Sequence, residues 1–252
     1  MEGVSIIIPV FNKVKTTLEC IDFIREHNRN CTYEIIIVDN GSTDGTRDML
    51  THFTFIRNEK NLGVAKALNI GAGAARYDIL CFMHNDVFVY RKDWPAEIYR
   101  FISTKEDSGV VGLYGAKTLR RDGSFRGKTI VHAKKGRPAI NMPFENVAVV
   151  DGLLLSMKKP VYKAIGGFCE DFQVHFYDKD ISLRAVEKGY DNYVLNIPFE
   201  HRCAATRSQI KDDDAIREAA RKRFIEIWKD SLPADVTTVI EKIGYLFQKA
   251  ES

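Results

Sequence analysis

Runs of consecutive apolar residues alternate with stretches of helical periodicity through the first third of the chain. The first run, residues 4–11, is rich in β-branched side chains and has the pattern of a strand buried on both faces. Similar runs occupy residues 34–38, 53–57 and 78–83. Residues 15–27 carry apolar side chains at helical spacing and predict the helix that joins the first two strands. The alternation predicts an α/β fold whose sheet is mostly parallel, with right-handed crossovers.

Two further helices are predicted between these strands. Ser42 or Thr43 is expected to cap a helix that ends near Leu50, because small polar side chains accept hydrogen bonds from the first N–H groups of a helix. Asn61–Gly63 is expected to begin the next helix, which continues through small residues to Ala75.

Polar residues follow three of the predicted strands at the point where each strand ends. They are Pro-Val-Phe-Asn at 9–12, Asp-Asn-Gly at 39–41 and His-Asn-Asp at 84–86. In open parallel sheets, ligands bind outside the carboxyl ends of the strands. We therefore expect the three clusters to converge on one edge of the sheet and to form a binding site there.

The second half of the chain is less regular. A helix is predicted from Asp178 to Lys188, with Ile181, Leu183, Ala185 and Val186 turned toward the core and Gly189 ending it. A last strand is predicted over Tyr190–Ile197, and the chain from Arg207 onward has a charged, helical pattern. These elements complete an α/β domain and leave a helical C-terminal segment.

We expect the domain to comprise residues 1–205 and a helical extension packed on it to comprise residues 206–252. The extension carries an amphipathic stripe at i, i+3, i+4 and i+7 spacing. Its members are Val236, Val239, Ile240, Ile243, Leu246 and Phe247. Packing on the domain is the expected role of the stripe, with dimerisation and attachment to a membrane surface as the alternatives.

Composition narrows the class of protein. The chain has 252 residues with 45% apolar and 28% charged side chains, and its net charge of +3 does not indicate a nucleic-acid binder. No run approaches the roughly 20 apolar residues that span a bilayer, and the apolar N-terminal run is too short for a signal peptide. Five cysteines without paired spacing favour reduced thiols and a cytoplasmic protein.

The segment Val-Asp-Asn-Gly-Ser-Thr-Asp-Gly-Thr at 38–46 strongly resembles the family 2 glycosyltransferases of the GT-A fold. The resemblance extends from Val4 to about His201, and further segments carry it. These are residues 5–12, 58–63, 85–86, 166–168 and 178–190. It implies a Rossmann-like, mostly parallel central sheet flanked by helices, in a nucleotide-diphospho-sugar transferase with an inverting mechanism. A rhamnosyltransferase-like branch of the family is one option.

The resemblance implies a donor site along the loop tips. Asp39 would accept a hydrogen bond from a nucleobase, with a helix-capping role as the alternative. The N-terminus of the helix after Gly63 would favour the diphosphate, since helix N-termini attract anions, with a merely capped helix as the alternative. The implied donor-binding residues are Pro9, Phe11, Asn12, Asp39, Gly41, Asn61, Gly63, Lys66 and Asn85.

A divalent metal, Mn²⁺ or Mg²⁺, is implied where the family has its Asp-x-Asp or Asn-x-Asp motif. Asp86 is the expected ligand, and His84 stands at the motif's first position in place of the usual acidic or amide residue. Imidazole suits manganese better than magnesium, so His84 is a candidate ligand as well. His201 follows the last predicted strand, where related members place a further histidine ligand, with a structural role as the alternative.

Two acidic residues begin the helix at 178, where the family has Glu-Asp-x-Asp. The alignment places Asp178 on the catalytic base and Tyr177 on the glutamate. Asp180 would orient the acceptor or serve as the base instead, while the structural alternative is that both carboxylates stabilise the helix N-terminus. Asp151 and Gly152 match positions that line the acceptor side.

A basic run in the middle of the chain permits two interpretations. It is either a solvated loop or a loop that folds over the donor and meets the diphosphate. Its members are Lys117, Arg120, Arg121, Arg126, Lys128, Lys134, Lys135 and Arg137.

The sequence thus predicts transfer of a sugar from a nucleotide-diphosphate donor, with UDP- or dTDP-sugars favoured, to a hydroxyl of a glycan, lipid-linked or protein acceptor. His84 and Tyr177 motivate one rival, a catalytically impaired nucleotide-sugar-binding protein. A nucleotidyltransferase is a second rival, although residues 9–13 are not the glycine-rich phosphate loop that it needs.

Overall fold

The computed structural model of the chain describes residues 1–50, 53–126, 142–202, 212–239 and 241. Its helices are α1 (Val14–His27), α2 (Thr46–Met49), α3 (Val64–Ala74), α4 (Trp94–Thr104), α5 (Lys159–Ala164), α6 (Tyr177–Glu187) and α7 (Asp213–Trp228). Its strands are β1 (Val4–Val10), β2 (Tyr33–Asp39), β3 (Thr54–Arg57), β4 (Ile79–Met83), β5 (Val87–Val89), β6 (Ser108–Gly112), β7 (Gly115–Ala116), β8 (Thr118–Leu119), β9 (Phe125–Arg126), β10 (Phe144–Val147), β11 (Val149–Val150), β12 (Leu154–Lys158), β13 (Asp191–Leu195), β14 (Phe199–His201) and β15 (Ala234–Asp235).

The main sheet has eight strands in the order β10-β13-β6-β12-β4-β1-β2-β3. β1 pairs in parallel with β2 and β4, β2 pairs in parallel with β3, and β6 pairs in parallel with β13. β12 is antiparallel to both of its neighbours, and β10 is antiparallel to β13. Six strands therefore run one way and two the other, which confirms the predicted mostly parallel sheet.

The antiparallel strand β12 contributes its beginning to the functional edge. Leu154, its first residue, lies opposite Met83, the last residue of β4. The turn at residues 151–153 therefore lies beside the carboxyl ends of the parallel strands.

Alternation along β1 divides the apolar core between the two faces of the sheet. Ile7 belongs to a cluster that includes Leu68 of α3, whereas Ile6 and Ile8 belong to a cluster that includes Ile21 of α1. Successive side chains of a strand point to opposite faces, so one continuous β-branched run supplies both clusters.

The segment after residue 212 packs on the same domain. Phe224 and Trp228 of α7 are buried in the cluster that contains Leu68, and β15 pairs with β8. The extension is therefore not wholly helical, and Tyr190–Ile197 is not the last strand, because β14 and β15 follow it. The boundary at residue 205 remains a prediction, and most of the apolar stripe lies outside the described residues.

The predicted cap of the second helix is wrong. α2 begins at Thr46, too far along the chain for Ser42 or Thr43 to cap it. The Ser42 hydroxyl instead accepts a hydrogen bond from the Asn12 N–H at 2.7 Å. Asp44 accepts hydrogen bonds from the N–H groups of Thr46 and Val14, so these polar side chains join two loops at the sheet edge.

The predicted core-facing side of α6 is confirmed at Ile181, Leu183 and Ala185, which are buried, but it is wrong at Val186, which is 42% exposed. Ser182, one turn earlier, is buried and accepts a hydrogen bond from the N–H of Val150. This polar contact joins α6 to β11, which pairs with β7 outside the main sheet. Among the described residues, no helix combines the length and the apolar character needed to cross a membrane.

Candidate active site

Three candidate metal ligands come together at the sheet edge. His84 and Asp86 follow β4, and His201 ends β14, where it lies opposite Val87 of β5. One ligand atom from each of the three side chains lies within 4.8 Å of the others. The His201 Nε2 is 3.1 Å from the Asp86 Oδ1, and the two imidazole rings are 5.7 Å apart between centroids.

Backbone hydrogen bonds hold this cluster in place. The His84 N–H donates to the Leu153 carbonyl at 2.9 Å, and the Arg202 N–H donates to the Asp86 carbonyl at 2.9 Å. Asn85, between the two ligand candidates, donates its side-chain amide to the Thr17 hydroxyl of α1 at 2.9 Å. Asn85 therefore joins the loop of the candidate metal ligands to α1.

The candidate base is linked to the metal cluster by a chain of contacts. Asp178, in the first turn of α6, accepts hydrogen bonds through its two oxygens from the N–H groups of Gly152 at 3.1 Å and Lys179 at 2.9 Å. The Tyr177 hydroxyl lies 3.4 Å from the Gly152 carbonyl and 2.9 Å from the His84 Nε2. Asp178 and the cluster therefore share one side of the sheet edge.

Asp151 is electrostatically unusual. Burial raises its pKa from 3.8 to about 7, and the neighbouring negative charge of Asp178 adds to the effect. The N–H of Leu153, which donates to its Oδ1 at 3.1 Å, acts in the opposite direction. A carboxyl group with this pKa exchanges a proton near neutral pH.

Lys179 lies beside these carboxylates. Burial lowers its pKa, while Asp178 and Asp151 oppose the decrease. Its Nζ donates to a backbone carbonyl at 2.6 Å and lies 4.6 Å and 4.4 Å from the ring centroids of Phe125 and Phe176. The sequence reasoning missed this cation, because Phe125 and the Gly123 carbonyl reach it from a segment more than 50 residues away.

Asp180 occupies a different environment from Asp178. It is 2% exposed, and its Oδ1 accepts the indole N–H of Trp228 at 3.1 Å. Its Oδ2 accepts the Arg184 Nε–H at 2.9 Å. Burial raises its pKa, and the Arg184 charge acts against that increase. The carboxylate thus joins α6 to α7, an arrangement that favours the structural alternative.

Asp39 lies at the end of β2 with its carboxylate fully buried. Its Oδ1 accepts the Ser42 N–H at 2.9 Å, and its Oδ2 forms an ion pair with Arg57. The Arg57 guanidinium also donates to the Ser42 carbonyl at 3.1 Å. The sequence reasoning missed Arg57, although it ends β3 directly opposite Asp39 in the parallel register.

The remaining residues of the first loop surround this pair. Pro9 lies within β1 opposite Val38, and Phe11 follows the strand with a partly exposed side chain. Asn12, at φ 59°, accepts the Thr43 N–H at 2.8 Å through its side chain. The loops after β1 and β2 therefore form one unit at the sheet edge.

Gly41 can only be glycine in this conformation. It has φ +80°, and an added Cβ would lie 2.8 Å from the Cα of Lys60. The loops after β2 and β3 therefore approach each other at backbone level. Asn40 strengthens this contact by donating its amide to the Asn61 side-chain oxygen at 3.3 Å and to the Gly63 carbonyl at 3.0 Å.

The start of α3 is engaged by another part of the chain. The N–H groups of Val64 and Ala65 donate to the Gln173 carbonyl at 2.5 and 3.4 Å. The Lys66 Nζ forms an ion pair with Glu170 at 3.1 Å. This arrangement disagrees with the expectation that the first N–H groups of the helix are available to an anion.

The described part of the basic run is divided between two environments. Lys117 is buried and forms ion pairs with Glu145, at 3.3 Å, and with Glu241. Arg120, Arg121 and Arg126 are exposed. The other members, Lys128, Lys134, Lys135 and Arg137, lie outside the described residues.

The order of the strands sets the approximate width of the candidate site across the sheet edge. β12, β4, β1 and β2 are successive neighbours, and adjacent strands lie about 4.8 Å apart. Asp39 therefore lies roughly 10 Å across the sheet from the end of β4, where the metal cluster begins. One edge thus presents the Asp39 pair, the metal cluster and the carboxylates of Asp151 and Asp178 in sequence.

Residues 5–166 match the family model of Glycosyl transferase family 2. The chain belongs to glycosyl transferase family 2. The match covers most of the sheet edge, from β1 through the turn at Asp151 and Gly152, and it confirms the predicted family.

The curated proteins similar to this family 2 chain include a glycosyltransferase that is named for its biosynthetic role. A PGL/p-HBAD biosynthesis glycosyltransferase of Mycobacterium bovis is 33% identical over 129 residues, which are 48% of this chain and 49% of the relative. The chain spans only 28% to 49% of the length of the first curated relatives that it matches.

Solved structures confirm the GT-A fold of this family 2 chain. The mannosyltransferase PcManGT from Pyrobaculum calidifontis, in complex with GDP-Man and Mn²⁺, has a TM-score of 0.57 and 19% identity over 79% of this chain and 58% of that chain. GalNAc-T7 with UDP, GalNAc and Mn²⁺ has a TM-score of 0.64 and 13% identity over 80% of this chain and 44% of that chain.

Proposed function

We propose that this family 2 chain transfers a sugar from a nucleotide-diphosphate donor to an acceptor hydroxyl, with inversion at the anomeric carbon and with the help of a divalent cation. One observation carries the proposal. The cluster of His84, Asp86 and His201 lies at the sheet edge and is joined through Tyr177 and Gly152 to the Asp178 carboxylate.

The donor set of the cluster fits a divalent transition metal. Two imidazoles and one carboxylate offer ligand atoms within 4.8 Å of one another. Nitrogen ligands suit Mn²⁺ better than Mg²⁺, which prefers an all-oxygen shell. The Mn²⁺ in PcManGT and in GalNAc-T7 supports this assignment. A cation bound there neutralises negative charge on the diphosphate as it leaves.

Asp178 is the proposed base. Two backbone N–H groups hold its carboxylate at the acceptor side of the edge, next to Gly152. It takes the proton of the acceptor hydroxyl while that oxygen attacks the anomeric carbon from the face opposite the diphosphate. The new glycosidic bond forms as the bond to the diphosphate breaks, and fixed positioning of both reactants lowers the barrier.

Asp151 and Gly152 form the proposed acceptor side. With a pKa of about 7, the Asp151 carboxyl is partly protonated at neutral pH and can donate a hydrogen bond to an acceptor oxygen. In this proposal Asp180 acts only through α6, since its carboxylate binds Trp228 and Arg184.

The nucleotide binds along the loops after β1, β2 and β3 in this proposal. In this proposal the buried Asp39 carboxylate orients Arg57, whose partly exposed guanidinium donates to the base, and UDP- or dTDP-sugars are the favoured donors. GDP-Man in PcManGT shows that this fold also accommodates a purine donor. The proposed acceptors are glycans, lipid-linked sugars or proteins, met in the cytoplasm or at a membrane surface.

Thermal-shift measurements with UDP-, dTDP- and GDP-sugars, each with and without Mn²⁺, test the proposal. A donor at 100 times its Kd stabilises the fold by about 2.7 kcal/mol. We expect one donor class to raise Tm with Mn²⁺, and the same donor to release its nucleoside diphosphate slowly to water. The Mn²⁺-dependent part should disappear in His201→Ala. Stabilisation without any release favours the nucleotide-sugar-binding rival, and no stabilisation by any donor contradicts the proposal.

A further inference from the structure

The two positions at which the chain departs from the family pattern are in direct contact. Tyr177 stands where a glutamate is expected, His84 stands where an acid or amide is expected, and the Tyr177 hydroxyl lies 2.9 Å from the His84 Nε2. Tyr177 is only 4% exposed. A phenol–imidazole pair therefore occupies the place of two family side chains, beside the candidate metal ligands.

The phenol has a second partner that can only accept a hydrogen bond. The Tyr177 hydroxyl lies 3.4 Å from the Gly152 carbonyl, and a carbonyl oxygen can only accept. When the phenol donates its single proton to Gly152, its oxygen accepts a proton from the His84 Nε2. A neutral imidazole protonated at Nε2 carries its lone pair on Nδ1.

Gly152 is what admits the phenol to this position. A Cβ on residue 152 would lie 2.2 Å from the Tyr177 hydroxyl oxygen. The short turn before β12 thus offers a carbonyl to the phenol and leaves the space that the phenol occupies.

We propose that Tyr177 is a positioning residue that holds His84 in the Nε2–H tautomer, so that the His84 Nδ1 binds the divalent cation. The inference rests on the metal site of the proposed function and adds the residue that orients one of its ligands. Hydrogen bonds to the far nitrogen of a metal-binding histidine fix its tautomer and ring orientation, and their loss typically weakens metal affinity 10- to 100-fold.

The opposite proton arrangement gives a different outcome. If the phenol donates to Nε2, the imidazole proton lies on Nδ1, and Nδ1 has no lone pair with which to bind a cation. His84 then contributes nothing to binding, and removal of the hydroxyl leaves the affinity unchanged.

Titration of the protein with Mn²⁺ alone, read by the electron paramagnetic resonance of the unbound ion, tests the proposal on Tyr177→Phe. The substitution keeps the ring and removes only the hydroxyl. Tyr162→Phe is the matched control, because it removes a hydroxyl that donates to Asn69 at 2.6 Å, in a different hydrogen-bonded cluster. We expect binding to weaken 10- to 100-fold in Tyr177→Phe and less than threefold in Tyr162→Phe.

The variant His201→Ala distinguishes a failure of the proposed role of Tyr177 from a failure of the proposed metal site. If the parent binds Mn²⁺, His201→Ala loses binding and Tyr177→Phe retains full affinity, the role of Tyr177 is overturned while the metal site stands. If the parent and His201→Ala show the same absence of binding, the metal site and the role of Tyr177 both fail.

The tautomer can also be read directly without metal. Long-range ¹H–¹⁵N spectra of the histidine rings, with the His84 signals assigned from a His84→Gln variant, should show a proton on Nε2 in the parent. A proton on Nδ1 overturns the proposal whatever the Mn²⁺ affinity. In Tyr177→Phe we expect a mixture of the two tautomers.

Discussion

Asp178 accepts a hydrogen bond from the backbone N–H of Gly152, with 3.1 Å between the Gly152 nitrogen and the Asp178 Oδ2. The bond joins the first turn of α6 to the turn that precedes β12. The hydrogen bond orients the carboxylate. The candidate base is held by the backbone N–H groups of Gly152 and Lys179.

Asp178→Asn should remove transfer while leaving donor binding near normal. The amide keeps the shape of the side chain but cannot take the acceptor proton, and loss of a general base costs about 10²- to 10⁴-fold in rate. Release of nucleoside diphosphate measures turnover, and isothermal titration calorimetry measures donor affinity. Equal turnover in variant and parent would contradict the assignment of Asp178.

Asp180→Asn is the matched control and should act on stability instead. The substitution weakens the contact of a 2%-exposed carboxylate with Arg184 and Trp228. We expect the free energy of unfolding to fall by about 1–3 kcal/mol, while the folded protein keeps its turnover. Urea unfolding and turnover below the transition provide the test. Loss of turnover at unchanged stability would move the catalytic role to Asp180.

Helix geometry alone predicts that Asp178 and Asp180 point in different directions. Residues two apart on a helix do not share a face, so Asp178 and Asp180 cannot both point to one acceptor. The apolar residues of α6 gave the buried face in part, since Ile181, Leu183 and Ala185 are buried and Val186 is exposed. The burial of the polar Ser182 against β11 was not predictable from apolar periodicity.

Strands β1 to β4 followed from the sequence because they lie in apolar runs, whereas the parallel strand β6 was not predicted. The run that forms β12 has the same character, and nothing in it shows that this strand lies antiparallel to β4. The position of Asp151 beside the base candidate depends on that reversal. The pairing of β12 with β4, and not a local sequence pattern, therefore places Asp151 and Gly152 at the candidate site.

The candidate metal site was predictable only in part. His84 and Asp86 follow β4, whose apolar run clearly predicts a strand. His201 is instead positioned by the pairing of β5 and β14, which have three residues each. Strands this short carry no periodic signal. The contact between Tyr177 and His84 could not be predicted from local sequence pattern either, because it joins residues 93 positions apart.

Arg57→Ala should weaken both the fold and donor binding. Asp39 is fully buried, and the variant leaves its carboxylate without the guanidinium that balances it. Because the Arg57 side chain is 31% exposed, we expect a loss of about 1–3 kcal/mol in unfolding free energy, below the value for a fully buried pair. Chemical unfolding and donor titration measure the two effects.

The double variant Asp39→Asn with Arg57→Ala is the control for this pair. It removes the buried charge together with its partner, so part of the lost stability should return while donor binding stays weak. A double variant no more stable than Arg57→Ala would show that burial of the Asp39 charge is not the cause.

The pH dependence of stability should report on Asp151, whose folded-state pKa is raised from 3.8 to about 7 by burial and by Asp178. A raised pKa means that the folded state binds the proton more tightly than the unfolded state does. The stabilisation is complete below about pH 4 and is lost as the pH rises toward 7. Asp151→Asn should therefore match the parent at low pH and exceed it above pH 7 by an amount on the order of 1–3 kcal/mol. Urea unfolding across this range, in a chelator so that no cation contributes, measures the difference. A variant that parallels the parent at every pH would show that Asp151 titrates normally in the folded protein.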